Sequence, residues 1–142
     1  MISACAQKTS DRPSTWINMQ IQNSYIDLFH MGYAHTIEAW KEEELVGGLY
    51  GVSLGAAFFG ESMFSRMENT SKVCLVHLVE HLKKRKFLLL DTQFITNHLR
   101  QFGAIEISHT QYEKLLTNAL KYSTISFYNN NMIYNNNINF YI

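Results

Sequence analysis

The stretch Gly55-Ala56-Ala57-Phe58-Phe59-Gly60 narrows the possible folds more than any other. An uncharged apolar run closed at both ends by glycine suits a buried strand where another backbone or a ligand comes close. The segments before it read as β structure too. His35 to Lys41 alternates with a short period, Glu42-Glu43-Glu44 is an acidic turn, and Leu45 to Val52 is a second strand-like run, so a hairpin is predicted. Further upstream, Trp16 to Met31 places Ile17, Ile21, Leu28 and Phe29 at helical spacing, with Ser14 or Thr15 as N-cap and Gly32 as a stop.

Downstream, Thr70 and Ser71 can cap a helix with Val73, Val76, Leu78, Val79 and Leu82 facing inward and Lys83-Lys84-Arg85-Lys86 as its last turn. Phe87 to Leu90 is a continuous apolar run, predicted as a central strand buried on both faces and ending at Asp91. A short helix over Thr96 to Phe102, stopped by Gly103, leads to a strand over Ala104 to Ile107. A last helix begins near Ser108, where Ser108 and Gln111 have capping-box spacing. This order of mixed strands and helices predicts an α/β or α+β domain.

The 142 residues suffice for one domain with a real core, and 46% hydrophobic with 17% charged residues is an ordinary globular composition. Twelve basic residues balance twelve acidic ones, which argues against nucleic-acid binding through a broad basic surface, so any such contact is local. Cys5 and Cys74 lie far apart without CxxC spacing, so neither a zinc site nor a disulfide framework is suggested. His77 and His81, at i and i+4, lack the Glu of a metalloprotease motif and are expected on the outer face of their helix. Met1 to Asp11 makes neither a signal peptide nor a membrane span, and a cytoplasmic protein is expected. From Ser123 to Ile142 there is no charge and no proline, and asparagine runs dominate. The expected division is therefore a domain over 1–122 and a disordered low-complexity tail over 123–142, with a self-association segment as the alternative.

The run Gly47-Gly48-Leu49-Tyr50-Gly51-Val52, followed by Phe59-Gly60-Glu61-Ser62-Met63-Phe64-Ser65-Arg66, resembles the GG(L/M)YGV and F-GESMFSR signatures of the leucyl/phenylalanyl-tRNA protein transferases. Thr15-Trp16-Ile17, His35 to Trp40, Leu90-Asp91-Thr92-Gln93, Asn97-His98 and Phe102-Gly103-Ala104 carry the likeness further, from residue 2 to about 120. The resemblance implies a GNAT-like acyltransferase fold. It also implies transfer of Leu or Phe from aminoacyl-tRNA to proteins beginning with Arg or Lys, marking them for N-degron proteolysis; a pocket that grips by size should also take Met, an activated ester calls for no cofactor or metal, and a monomer is expected. The family's smaller N-terminal domain, with its GIFPW-type segment, has no match here, and the asparagine-rich end does not resemble the family's last segment. The expectation is thus the carboxy-terminal catalytic half, with a non-catalytic remnant as the alternative. An acetyl-CoA-dependent acetyltransferase ranks last, because no Q/R-x-x-G-x-G/A loop precedes the Thr70 helix.

An aminoacyl ester is already activated, so such an enzyme must hold the tRNA end, receive the amino acid and aim an amine at its carbonyl. The resemblance implies Asp91 and Gln93 as the catalytic pair, with Glu61 beside them. An amide is a poor base, which makes Gln93 a positioning group and Asp91 its electrostatic partner. Read from position, Asp91 ends an apolar strand, where open sheets commonly display functional side chains, with Gln93 on the same face; a plain cap of the following turn is nevertheless the commoner outcome there, and Glu61 equally pairs with Arg66. Leu49, Phe58, Leu75 and Leu82 match the family's Leu/Phe pocket, and otherwise read as ordinary core. Trp16 matches the residue that packs on the terminal adenosine, and otherwise is a hydrophobic staple at a helix start. Lys83 to Lys86 could meet tRNA phosphates or simply end a helix.

Overall fold

The computed structural model describes residues 1–9, 13–128 and 139–141. The asparagine runs on which the disordered-tail expectation chiefly rests lie outside the described residues. The expected α/β class with a mixed sheet flanked by helices is what forms. Five strands lie in the order β4-β3-β2-β1-β5: β1 (Ala34–Lys41), β2 (Glu44–Leu54), β3 (Ala57–Ser65), β4 (Leu89–Asp91) and β5 (Asn139–Tyr141). The first three are an antiparallel meander, whereas β4 runs parallel to β3 and β5 parallel to β1. A parallel neighbour needs a crossover, and α3 (Thr70–Lys84) supplies the one from β3 to β4.

Successive residues of a strand point to opposite faces, so Leu49 and Tyr50 mark the two sides of β2. Leu49 joins Ile37, Phe58, Cys74, Leu75, Leu78 and Leu82 under α3, while Tyr50 joins Cys5, Ile17 and Phe64 on the side of α1 (Ile2–Cys5) and α2 (Met19–His30). The strand buried on both faces is therefore β2, from Val46 to Gly51. Its glycines make this possible: a Cβ on Gly47 would overlap the Thr70 side chain, and one on Gly51 would run into the Phe58 ring. Buried Thr70 anchors α3 there, its hydroxyl 2.9 Å from the Val46 carbonyl oxygen and 2.8 Å from that of Met67.

Several expectations need correction. The Phe87–Leu90 run is not a central strand; β4 holds only Leu89 to Asp91, half-buried, at the end of the described sheet. The α2 cap is Asn18, whose side chain accepts the Ile21 N–H, because Thr15 is already committed to the Ile17 N–H. On α3 the cap is Asn69, Val76 faces solvent, and Cys74 and Leu75 take the inner positions. Residues 104–108 form no strand between α4 (Asn97–Gln101) and α5 (His109–Leu120), although the Ser108–Gln111 capping box is present. His81 is not on an outer face: its Nε2 lies 2.7 Å from the Phe127 carbonyl oxygen.

That contact belongs to a packed segment beyond residue 122, further along the chain than its composition suggests. Phe127 is almost fully buried, stacked 4.2 Å from the His35 ring at 7° and 5.6 Å from Phe58. Arg85 donates to the carbonyl oxygens of Ser126 (2.8 Å) and Tyr128 (2.7 Å). One aromatic side chain with its backbone clasped suffices, where aliphatic periodicity is absent.

Phe127→Ala is expected to lower the unfolding free energy by ~3–5 kcal/mol in denaturant titrations, because it empties a large buried volume. Burial also pushes the His35 imidazole down to about 4 from its ordinary 6.5, aided by the nearby charge of His81. Between those two values the unfolded chain binds the extra proton and the folded one does not, so stability falls as pH drops from 6.5 toward 4 and is flat in this respect below that. A loss of order 3 kcal/mol across that window is expected for this group, and His35→Phe should remove most of that slope from pH-dependent melting curves.

Candidate active site

The polypeptide leaves the sheet at Asp91, and two residues later Gln93 takes a left-handed backbone, φ 62. That conformation costs a side-chain-bearing residue of order 1 kcal/mol and needs local compensation. Asp91 provides it: Oδ1 accepts the Gln93 N–H at 2.7 Å, closing the turn, while Oδ2 accepts the Tyr112 hydroxyl at 2.7 Å. The turn-capping role foreseen for Asp91 is real, and it is also what sets the direction of Gln93.

Gln93 Nε2 donates to Glu61 Oε2 at 3.1 Å and to the Gly60 carbonyl oxygen at 3.3 Å. Both amide hydrogens thus have acceptors, and the amide oxygen is the end left to accept a hydrogen from something else. Glu61 arrives through an irregularity in the sheet. Gly51 pairs Gly60 and Tyr50 pairs Ser62, which leaves Glu61 as the extra residue of a bulge. Its other neighbour is Tyr25 of α2, whose phenol is held well above its ordinary range, first by burial and then by its hydrogen bond to Glu61. Tyr25 is itself seated edge-on against Tyr50 at 5.0 Å. The alternative partner for Glu61, Arg66, is engaged elsewhere, donating to the Leu45 carbonyl oxygen and Gln7 Oε1.

Asp91 and Gln93 stand in the wall of a cleft of about 810 Å³ whose apolar lining includes Leu75, Val79, Leu90 and Leu99. This volume is in the range of small-ligand sites. Of the four residues matched to an amino-acid pocket, only Leu75 lines this cleft. Leu49, Phe58 and Leu82 are buried behind it in the same apolar cluster, with Phe127 packed among them. Trp16 is 53% exposed and is not part of the cleft wall. In the basic run, Lys83 is paired with Glu80 at the surface and Arg85 is spent on the 126–128 backbone, so the run is not four free cations.

Tyr25 and Tyr112 were not foreseen as site residues. Tyr112 was in principle legible: with Leu116 and Ala119 it makes the least exposed stripe of α5, at i, i+4 and i+7. Among the described residues no group of three or more His, Cys, Asp or Glu could hold a metal ion, and no helix is long and apolar enough to cross a membrane.

A carboxylate-anchored glutamine amide beside a second carboxylate, at the edge of an apolar cleft, can orient an amine without a covalent intermediate. Over residues 1–117 the sequence matches the model of the leucyl/phenylalanyl-tRNA protein transferases, and the chain belongs to that family of aminoacyltransferases, whose substrates are an aminoacyl-tRNA and a protein.

Proposed function

We propose that this domain transfers Leu or Phe, and also Met, from aminoacyl-tRNA to the N-terminal Arg or Lys of acceptor proteins, marking them for N-degron proteolysis in the cytoplasm. The observation that carries the reading is the hydrogen-bonded set Glu61–Gln93–Asp91, of which Gln93 and Asp91 stand in the wall of the apolar cleft. The acceptor's α-amine, with an ordinary pKa near ~7.7–8.0, is substantially neutral at cellular pH. Gln93 accepts one of its hydrogens through Oε1 and so aims the nitrogen lone pair at the ester carbonyl. Nitrogen–carbon bond formation and breakage of the carbon–oxygen bond to the 3′ ribose follow, and the amine's excess proton ends on the released ribose hydroxyl.

Asp91 acts through the turn it closes and through its charge; Glu61 fixes the Gln93 amide and supplies an anion for a basic acceptor side chain. The substrate's side chain enters along Leu75, with Leu49, Phe58 and Leu82 supporting that wall from behind. A pocket of this kind selects by size, each methylene being worth ~1–3 kcal/mol, so Val and Ile are poor substrates. Exposed Trp16 offers an aromatic face to the terminal base, a contact of ~1–3 kcal/mol.

The test is transfer from Leu- or Phe-charged tRNA to an Arg-initiated peptide, with an active relative as control. Transfer is expected. Asp91→Ala should slow it by roughly a hundredfold or more, as losses of electrostatic groups in preorganised sites do, whereas Lys84→Ala should leave it within about twofold, as surface changes do. Equal effects of the two would refute the assignment of Asp91, and no transfer by the unaltered chain would refute the enzyme reading for this chain.

A further inference from the structure

The Asp91 carboxylate has two oxygens with two different tasks, and the second is served from another element. Oδ1 accepts the Gln93 N–H, and Oδ2 accepts the Tyr112 hydroxyl from α5, both at 2.7 Å. Among the described residues no cation pairs with Asp91. A neutral donor of this kind fixes a carboxylate's rotamer while leaving its charge in place, whereas a lysine or arginine would cancel much of that charge at the site.

The helix that brings Tyr112 is itself located at both ends. The Ser108–Gln111 capping box sets where α5 begins. Near its other end Ala119 is fully buried against Ala56 and Ala57, and its carbonyl oxygen accepts the Ala56 N–H at 2.9 Å. Tyr112, Leu116 and Ala119 share one face, so the same stripe that packs on the β2–β3 turn ends in the hydroxyl at Asp91. Gly55, with φ 57, lies where a Cβ would press on the Ala119 carbonyl, so the approach is close.

Resting on the function proposed above, we infer that Tyr112 is a positioning residue of the transfer reaction: its hydroxyl locks the Asp91 carboxylate so that Oδ1 holds the Gln93 turn in its working conformation. The hydrogen bond to Asp91 pushes the Tyr112 phenol up to about 12, so it stays a donor throughout the neutral range. Without that donor Asp91 can rotate, and the strained Gln93 turn loses its anchor.

Tyr112→Phe removes the hydroxyl and keeps the ring, so the fold should survive, and three readings of this variant decide the matter. In steady-state transfer kcat is expected to fall roughly tenfold with KM for both substrates within about twofold, the size expected for a hydrogen bond to a charged group. Placed on Asp91→Ala, the same substitution is expected to have no further effect, because a residue acting through Asp91 has nothing left to act on. Independently of turnover, hydrogen exchange of the Gln93 amide should accelerate at least tenfold while amides of the α5 and β3 cores are unchanged. A Tyr112→Phe rate equal to that of the unaltered protein, or an equal loss in both backgrounds, or unchanged Gln93 exchange, would each overturn the inference. Full activity of Asp91→Ala alone would instead refute the underlying assignment of Asp91, a distinguishable failure.

Discussion

The acceptance of the Gln93 N–H by the Asp91 carboxylate is the interaction on which the site depends. A non-glycine residue at φ 62 does not stay there without compensation, and 2.7 Å to an ionisable carboxylate oxygen is a strong local compensation. With the turn held, the Gln93 amide reaches back across the β3–β4 pair to Glu61 and the Gly60 carbonyl. With the turn released, the same side chain has no reason to face them. Strain, hydrogen bonding and charge thus converge on two residues of one short strand end.

The rest of the fold is arranged around bringing pieces of chain to that end. The bulge in β3 turns Glu61 toward Gln93, α3 carries the chain over one face so that β4 can lie parallel to β3, and α5 returns to place Tyr112 on Asp91. The closeness of α3 to the sheet rests on the absence of a side chain at Gly47, and the seating of Phe58 against β2 on its absence at Gly51. The glycine-rich signature that marks the family is therefore explained by packing, while the acidic residue after Gly60 is explained by the site.

Much of this was legible beforehand, and the failures have physical causes. The hairpin, the α3 helix and the capping box on α5 follow from alternation, 3.6-residue periodicity and cap chemistry, all of which are local. The position of β4 at an end of the described sheet was not legible, because Phe87–Leu90 is as apolar as a central strand, and its partly buried neighbours are set by tertiary packing. Glu61, Asp91 and Gln93 follow from family likeness together with their places after apolar strands, and the structure brings them within hydrogen-bonding distance, although from position alone a turn cap outweighs that reading for Asp91 and a surface ion pair equals it for Glu61. Leu49, Phe58 and Leu82 show the opposite: a buried leucine reads the same whether it backs a pocket or fills a core, and here all three sit with Phe127. Phe127 itself escaped notice because one aromatic in a low-complexity stretch carries no periodic signal.

In the proposed reaction the Gln93 side chain, held in a left-handed turn by Asp91, aims the reacting amine. Gln93→Gly separates the side chain from the backbone, since glycine takes φ near +60° without strain. This variant is expected to be as stable as the unaltered protein to within about 1 kcal/mol, yet to transfer Leu or Phe to an Arg-initiated peptide roughly a hundredfold more slowly. Transfer at the original rate by a folded Gln93→Gly protein would contradict this role.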